Sequence, residues 1–293
     1  MTFHWFLPTG GDSRWLAGGP SVGALSARGD RPASLSYLGQ ITRGAELLGF
    51  AGVVAPTDPW AEDAWLATAM LAGATSKLTF LLPLQPGEIS PGLAARMAAT
   101  FQRYSGGRLL LQVESDEFVE ALRDLWRGET PVPPIYGSGA ADVHIVEGTP
   151  PEVAEQISHV RSTSRFAIRL QVITRDTSGQ AWAEARRLHA GLEPHNGTTM
   201  VVHSGGAARL EVYPNLWAGV GLVPGGANLA LVGNHAEVAS RIEEYQAAGV
   251  DEFLLSGLPH LEEAYWFGEG VLPLLHKRPR SLARSGAAGQ RVS

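Results

Sequence analysis

Short β-rich apolar runs alternate along the chain with longer stretches of helical period, and no other feature constrains the fold as much. Strands that alternate one for one with helices form βα units, which lay the strands parallel and cover the sheet with helices. Candidate strands are Phe3–Leu7, Gly52–Ala55, Leu78–Leu82, Arg108–Val113, Val143–Val146, Phe166–Thr174 and Glu252–Leu255. A closed (β/α)8 barrel needs one more, and the gap falls at the seventh position, in Trp217–Val223 or Asn228–Val232. Helices are expected at Leu35–Leu48, Glu62–Leu71, Pro91–Tyr104, Phe118–Trp126, Pro151–Ser162, Gln180–His189, Glu237–Ala248 and Leu261–Leu275. Gly49 and Gly249 stand where left-handed helix C-caps belong.

The chain has 293 residues, 44% of them hydrophobic, which suits a single barrel of roughly 250 residues. The expected organisation is one barrel over residues 1–276 and a basic, disordered tail over 277–293. Two long connections rich in small residues, Gly10–Ala33 and Gly191–Val212, are expected to be either functional loops or disordered. No run of about 18 apolar residues and no secretory leader pattern is present, so a cytoplasmic, soluble protein is expected, with no membrane partner. The net charge of −6 argues against a nucleic-acid partner. The absence of cysteine excludes disulfides, thiolate metal sites and a cysteine nucleophile.

Arg169 lies inside an apolar strand, where an arginine without a partner is costly. Barrel strands point charge inward mainly near the catalytic face. Arg169 is therefore either a site residue or half of an ion pair with Glu114 or Glu147. Gln171 shares its face by strand period. Asp12 and Asp58, at the ends of the first and second strands, lie on the catalytic face, and Trp60 is a candidate for the pocket wall. His260 with Glu262 and Glu263 resembles half of a metal site. The stronger reading is a helix start with acids near its positive end, because no second cluster has zinc-ligand spacing. Glu62 and Asp63 are read the same way, as helix-start acids. The glycine-rich segment Gly219–Gly226 lacks nucleotide-loop spacing and suits a flexible lid.

Several words in sequence order resemble the alkanesulfonate monooxygenases of the luciferase-like flavin monooxygenase superfamily. They include His4-Trp5-Phe6-Leu7-Pro8-Thr9, Glu62-Asp63-Ala64-Trp65, Ser90 through Arg96, Ser105-Gly106-Gly107-Arg108, Pro214 through Val223 and Ser256 through Tyr265. The resemblance implies a (β/α)8 barrel of the luciferase type, a small-molecule substrate, reduced FMN delivered by a separate flavin reductase, and a homodimer.

The site words differ. The family's Arg-Leu-His is Arg169-Leu170-Gln171 here, and its loop Val-Arg-Gly-Gly is Val223-Pro224-Gly225-Gly226. Its tyrosine is Leu258, its cysteine is Trp60 or Ala61, and a tryptophan is Glu147. The chain is trimmed between strands 4 and 5: the turn and helix start that the resemblance assigns to the flavin phosphate shrink to Ser138 and Gly139. The family's Asn and following Thr-Gly are Gln112 and Glu114-Ser115. These changes imply a substrate other than an alkanesulfonate, with Arg169, Gln171, Glu114 and Glu147 as catalytic candidates. Trp60, Asp12, Asp58 and Leu258 would form the substrate pocket, Gln112, Ser138 and Gly139 would contact cofactor, and no metal is expected. Two other readings stay open: a flavin-free barrel performing cyclase or isomerase chemistry, and a non-catalytic partner subunit.

Overall fold

The structure is a computed structural model that describes residues 1–12, 31–56, 61–126, 132–160, 164–190, 210–222 and 228–276. Its strands are β1 (Thr2–Phe6), β2 (Gly52–Val54), β3 (Thr79–Pro83), β4 (Leu109–Gln112), β5 (Ile135–Gly137), β6 (Val143–Val146), β7 (Arg165–Arg175), β8 (Glu211–Tyr213), β9 (Leu216–Trp217), β10 (Ala230–Asn234) and β11 (Glu252–Ser256). β1 through β7 pair in sequence order, and β11 pairs in parallel with both β7 and β1. The result is a closed barrel of eight parallel strands.

The eighth member of the ring is β5, which the hydrophobic pattern does not reveal. Three residues between Pro133-Pro134 and a turn are too short to show strand period. The candidate Asn228–Val232 overlaps β10, and Trp217–Val223 overlaps β9, but neither strand joins the ring. β10 pairs in parallel with the upper half of β7, from Gln171 to Arg175, beyond the segment that β6 covers, and β9 runs antiparallel on its far side.

The helices are α1 (Leu35–Leu48), α2 (Ala64–Leu71), α3 (Pro91–Ser105), α4 (Asp116–Leu125), α5 (Pro150–Ser158), α6 (Ser178–Ala190), α7 (His235–Ala248), α8 (His260–Gly270) and the short α9 (Leu272–His276). Local chemistry sets their ends. Ser34, Asp63, Ser90, Ser115 and Asn234 each accept a hydrogen bond from a backbone N–H of the first turn, which satisfies one orphan donor. Asp63 therefore has the capping role expected of it. Gly49 and Gly249 adopt φ values of 91° and 113° and close α1 and α7 as left-handed caps.

Strand alternation divides two cores. Val54, Leu81, Leu110, Tyr136, Val143, Ala167 and Leu254 point inward and fill the barrel. Their neighbours Val53, Phe80, Leu82, Leu109, Ile168 and Phe253 point outward beneath the helices. Each large side chain taken fully out of water contributes about 1.5–3 kcal/mol. Leu81 is completely buried, and Leu81→Ala would cost about 2–5 kcal/mol through the cavity it leaves. No described helix is long and apolar enough to cross a membrane. Of the segment Gly219–Gly226 expected to form a flexible lid, the first residues belong to a 3-10 helix (Ala218–Leu222), while residues 223–227, most of both long connections and residues 277–293 lie outside the described residues.

Candidate active site at the mouth of the barrel

The C-terminal ends of parallel strands open onto one face, where barrels of this architecture place their chemistry. Register fixes what lies there. Ser256 pairs with Gln171, and Phe6 follows the pair Trp5–Leu255, so Phe6, Ser256 and Gln171 form one inward row across β1, β11 and β7. One row deeper are His4, Leu254 and Arg169.

Arg169 has no ion pair or hydrogen bond among the described residues. Burial pulls its guanidinium below the usual value, and the charges of Glu114 and Glu147 work against that pull. The carboxylates act through space, because each is engaged elsewhere. Gln112 Nε2 donates to Glu114 at 3.2 Å, and Asn228 Nδ2 donates to Glu147 at 2.6 Å. Gln171 Oε1 is buried without any hydrogen-bond partner. An unmet buried acceptor costs about 1–3 kcal/mol, more if charged. The structure thus brings Arg169, Gln171, Gln112, Glu114 and Glu147 to one side of the mouth and leaves two of them unsatisfied.

A second group occupies the rim between the first and last ring strands. His260 opens α8, with Glu262 and Glu263 in its first turn, as the helix-start reading expects. His260 Nδ1 lies 2.8 Å from Asp12 Oδ1, while its backbone N–H donates to Asp12 Oδ2 at 2.8 Å. The Tyr37 hydroxyl also donates to Asp12 Oδ2. Trp5 Nε1 donates to the His260 carbonyl at 3.0 Å, and the Phe6 ring stacks on the imidazole with centroids 5.2 Å apart. Burial works to raise the Asp12 carboxyl, but the ring and bonds of His260 and the Tyr37 hydroxyl hold it below the ordinary carboxylate value. Burial and the neighbouring Asp12 charge push the Tyr37 phenol up. Arg31 clamps Glu262 through both guanidinium nitrogens and touches Tyr37, which raises its already high value.

Sequence inspection places Asp12 on the catalytic face but misses its partner, 248 residues away. Barrel closure was the available signal, since it makes the first and last strands neighbours. Nearby, Glu263 is almost fully buried against Arg175, with contacts of 3.0 and 2.5 Å; burial pushes its carboxyl up to about 7 despite that cation. Leu258 packs against the satellite core of Ile173, Trp217 and Val232. Asp58 and Trp60 lie outside the described residues.

The Ser138–Gly139 turn holds an anion already. Asp116 Oδ1 accepts from Ala140 N–H at 2.8 Å, and a Cβ on Gly139 would lie 2.1 Å from the same oxygen. The chain then enters β6 without forming a helix. A phosphomonoester would meet a carboxylate and lose the donor, so this turn does not fit the FMN phosphate. The described helix starts around it are also self-capped: α4 by Ser115, α5 by Thr149 and Glu152, and α7 by Asn234 and Glu237.

An eight-stranded parallel barrel with a polar mouth of this kind is the scaffold of many enzymes and names no reaction. Comparison narrows the class: the chain matches the luciferase-like monooxygenase family over residues 1–113 and 134–252, and it belongs to that family. Solved structures share the fold at low identity. DmoA from Hyphomicrobium sulfonivorans superposes with a TM-score of 0.69 at 15% identity, covering 94% of this chain and 88% of the other. A riboflavin lyase, RcaE, with modified FMN and riboflavin has a TM-score of 0.63 at 15% identity, covering 94% and 91%. An F420-dependent secondary alcohol dehydrogenase with an F420-acetone adduct has a TM-score of 0.56 at 17% identity, covering 94% and 98%.

Proposed function

We propose that the protein is an oxidoreductase of the flavin-dependent monooxygenase type that takes a small organic substrate, other than an alkanesulfonate, at Arg169. The observation that carries this reading is the unsatisfied pair in the mouth: a guanidinium without a direct partner among the described residues, and the buried acceptor Gln171 Oε1 beside it. A bound molecule with an anionic or acceptor group and a neighbouring N–H or O–H satisfies both. The planar fork of arginine suits a carboxylate or another oxyanion.

A flavin or deazaflavin would supply the redox chemistry, as the riboflavin lyase and F420-dependent relatives suggest. The β5–β6 turn does not fit the FMN phosphate, so no step is assigned to the cofactor. The roles assigned to the chain are those of its own residues. Arg169 binds and orients, Gln171 donates or accepts at the ligand edge, and Glu114 and Glu147 tune the field around Arg169. A separate reductase and a homodimer belong to the same reading.

The test is titration of the purified protein with FMN, riboflavin and F420, each oxidised and anaerobically reduced, followed by absorbance and tryptophan quenching. Saturable micromolar binding of at least one of them is expected, and Arg169→Met, which alters the substrate end of the mouth, should leave that binding within about threefold of wild type. No binding of any form at high micromolar concentration overturns this reading and favours the flavin-free alternative. Asp116 within the turn and the acids beside Arg169 support that alternative, in which Glu114 or Glu147 moves protons in a cyclase or isomerase reaction.

A further inference from the structure

The Asp12–His260 pair is more tightly held than a helix start requires. A helix N-terminus needs an oxygen on its backbone N–H, and Asp12 Oδ2 supplies one to His260 at 2.8 Å. The other carboxylate oxygen is spent on the imidazole, at 2.8 Å from Nδ1. Trp5 fixes the carbonyl of the same residue, Tyr37 fixes the carboxylate, and Phe6 supports the ring face. The imidazole is anchored at one nitrogen only, since Nε2 has no hydrogen-bond partner among the described residues although His260 is just 6% exposed.

That asymmetry has a chemical consequence. A carboxylate bound to Nδ1–H fixes the tautomer in which Nε2 carries the free lone pair, and it stabilises the imidazolium that forms when Nε2 takes a proton. His260 stacks on Phe6, which stands in the same inward row as Ser256 and Gln171. β1 and β7 are separated there by one strand, so the backbones of Phe6, which carries the ring, and Gln171 lie on the order of 10 Å apart along the sheet.

We propose that His260 is a catalytic general base at the rim, oriented by Asp12 and Tyr37 as positioning residues. Its substrate is a small organic anion bearing a hydroxyl or an acidic C–H. The anionic end binds Arg169, and for that end alone the inference rests on the reading above. In the proton transfer the substrate O–H or C–H bond breaks, its electron pair stays on the substrate, and the proton passes to Nε2. The resulting imidazolium is held against the Asp12 carboxylate, while the charge of Arg31 is paired with Glu262.

Carbethoxylation by diethyl pyrocarbonate, mapped by mass spectrometry on each of the nine histidines, tests this on the intact protein. The reagent requires an unprotonated, nucleophilic imidazole nitrogen. A merely structural His260 would be as inert as His4, which is 2% exposed and has its Nε2 bonded to Glu252. A general base would react at least as fast as the exposed His159, and about tenfold more slowly in Asp12→Asn. A wild-type His260 no more reactive than His4 overturns the proposal, and this result needs no variant to fold. An unchanged rate in a folded Asp12→Asn protein overturns the orienting role of Asp12. Neither readout involves a cofactor, so failure of flavin binding and failure of this inference remain distinguishable.

Discussion

The barrel buries charge at both of its ends, and the two ends are built on opposite terms. At the floor, Glu252 is 3% exposed and every bond it needs is made by the chain. His4 Nε2 lies 3.2 Å from Oε2, the Tyr136 hydroxyl donates to Oε2 at 2.5 Å, and Arg165 donates to Oε1 at 2.9 Å. Burial would raise this carboxyl, but the bonds from His4 and Tyr136 and the charges of His4 and Arg165 hold it below the ordinary value. At the mouth, the half-buried Arg169 and the buried Gln171 Oε1 have no such partners among the described residues. The floor carboxylate is fully bonded, although His4 Nδ1 beside it has no hydrogen-bond partner among the described residues; a bonded charge fixes structure, while an unpartnered one is a standing cost that a ligand removes. Charge inside a barrel therefore says little by itself, and the bonds each charged group makes separate a plug from a site.

The contrast can be broken most forcefully at the floor. Glu252→Ala strands the Tyr136 hydroxyl and His4 in the interior and is expected to lower unfolding stability by about 3–5 kcal/mol, as measured by urea denaturation. A loss below about 1 kcal/mol would show that the floor is not the tight network its distances indicate. The next effect is in pH. A carboxyl held below its unfolded value contributes stability that is complete above that value and lost as pH falls through the folded one. Glu252 is such a group, so the stability gap between wild type and Glu252→Gln should narrow steadily as pH drops below about 4.5. A gap that widens in acid would reverse the sign of the argument.

At the mouth the direction inverts. Arg169→Met removes a poorly partnered, half-buried cation and keeps much of its volume. It should leave stability unchanged or raise it by about 1 kcal/mol, while substrate binding falls. A loss above about 2 kcal/mol would mean that Arg169 is structural and that Glu114 or Glu147 closes on it as a pair. The smallest effect is expected from Gln171→Leu, which deletes the unmet Oε1 acceptor. A gain of a few tenths of a kcal/mol in thermal unfolding fits, and a clear loss points to a partner in the loops around the mouth.

Legibility in the sequence followed the range of the interactions. The positions of α1, α3 and α7 within a residue or two, the caps at Asp63, Gly49 and Gly249, and seven ring strands depend on neighbours a few residues apart, which periodicity and capping chemistry express directly. β5 was invisible because three residues carry no period, and β10 looked like a ring strand because pattern reports burial and not which edge a strand joins. The inward face of β7 was legible by alternation, which is how Arg169 and Gln171 stood out together.

The sequence alone determined the class of fold, the run of helices and strands, and the family, since these rest on local period and on words of neighbouring residues. Only the tertiary structure decided which charges have partners. Asp12 met His260, His4 and Tyr136 met Glu252, and Asp116 filled the turn after β5, because closing the ring brings together strand ends that lie up to 248 residues apart in the chain. Hydrogen bonds depend on angstroms and angles, and a linear order of residues does not specify these until the barrel has closed.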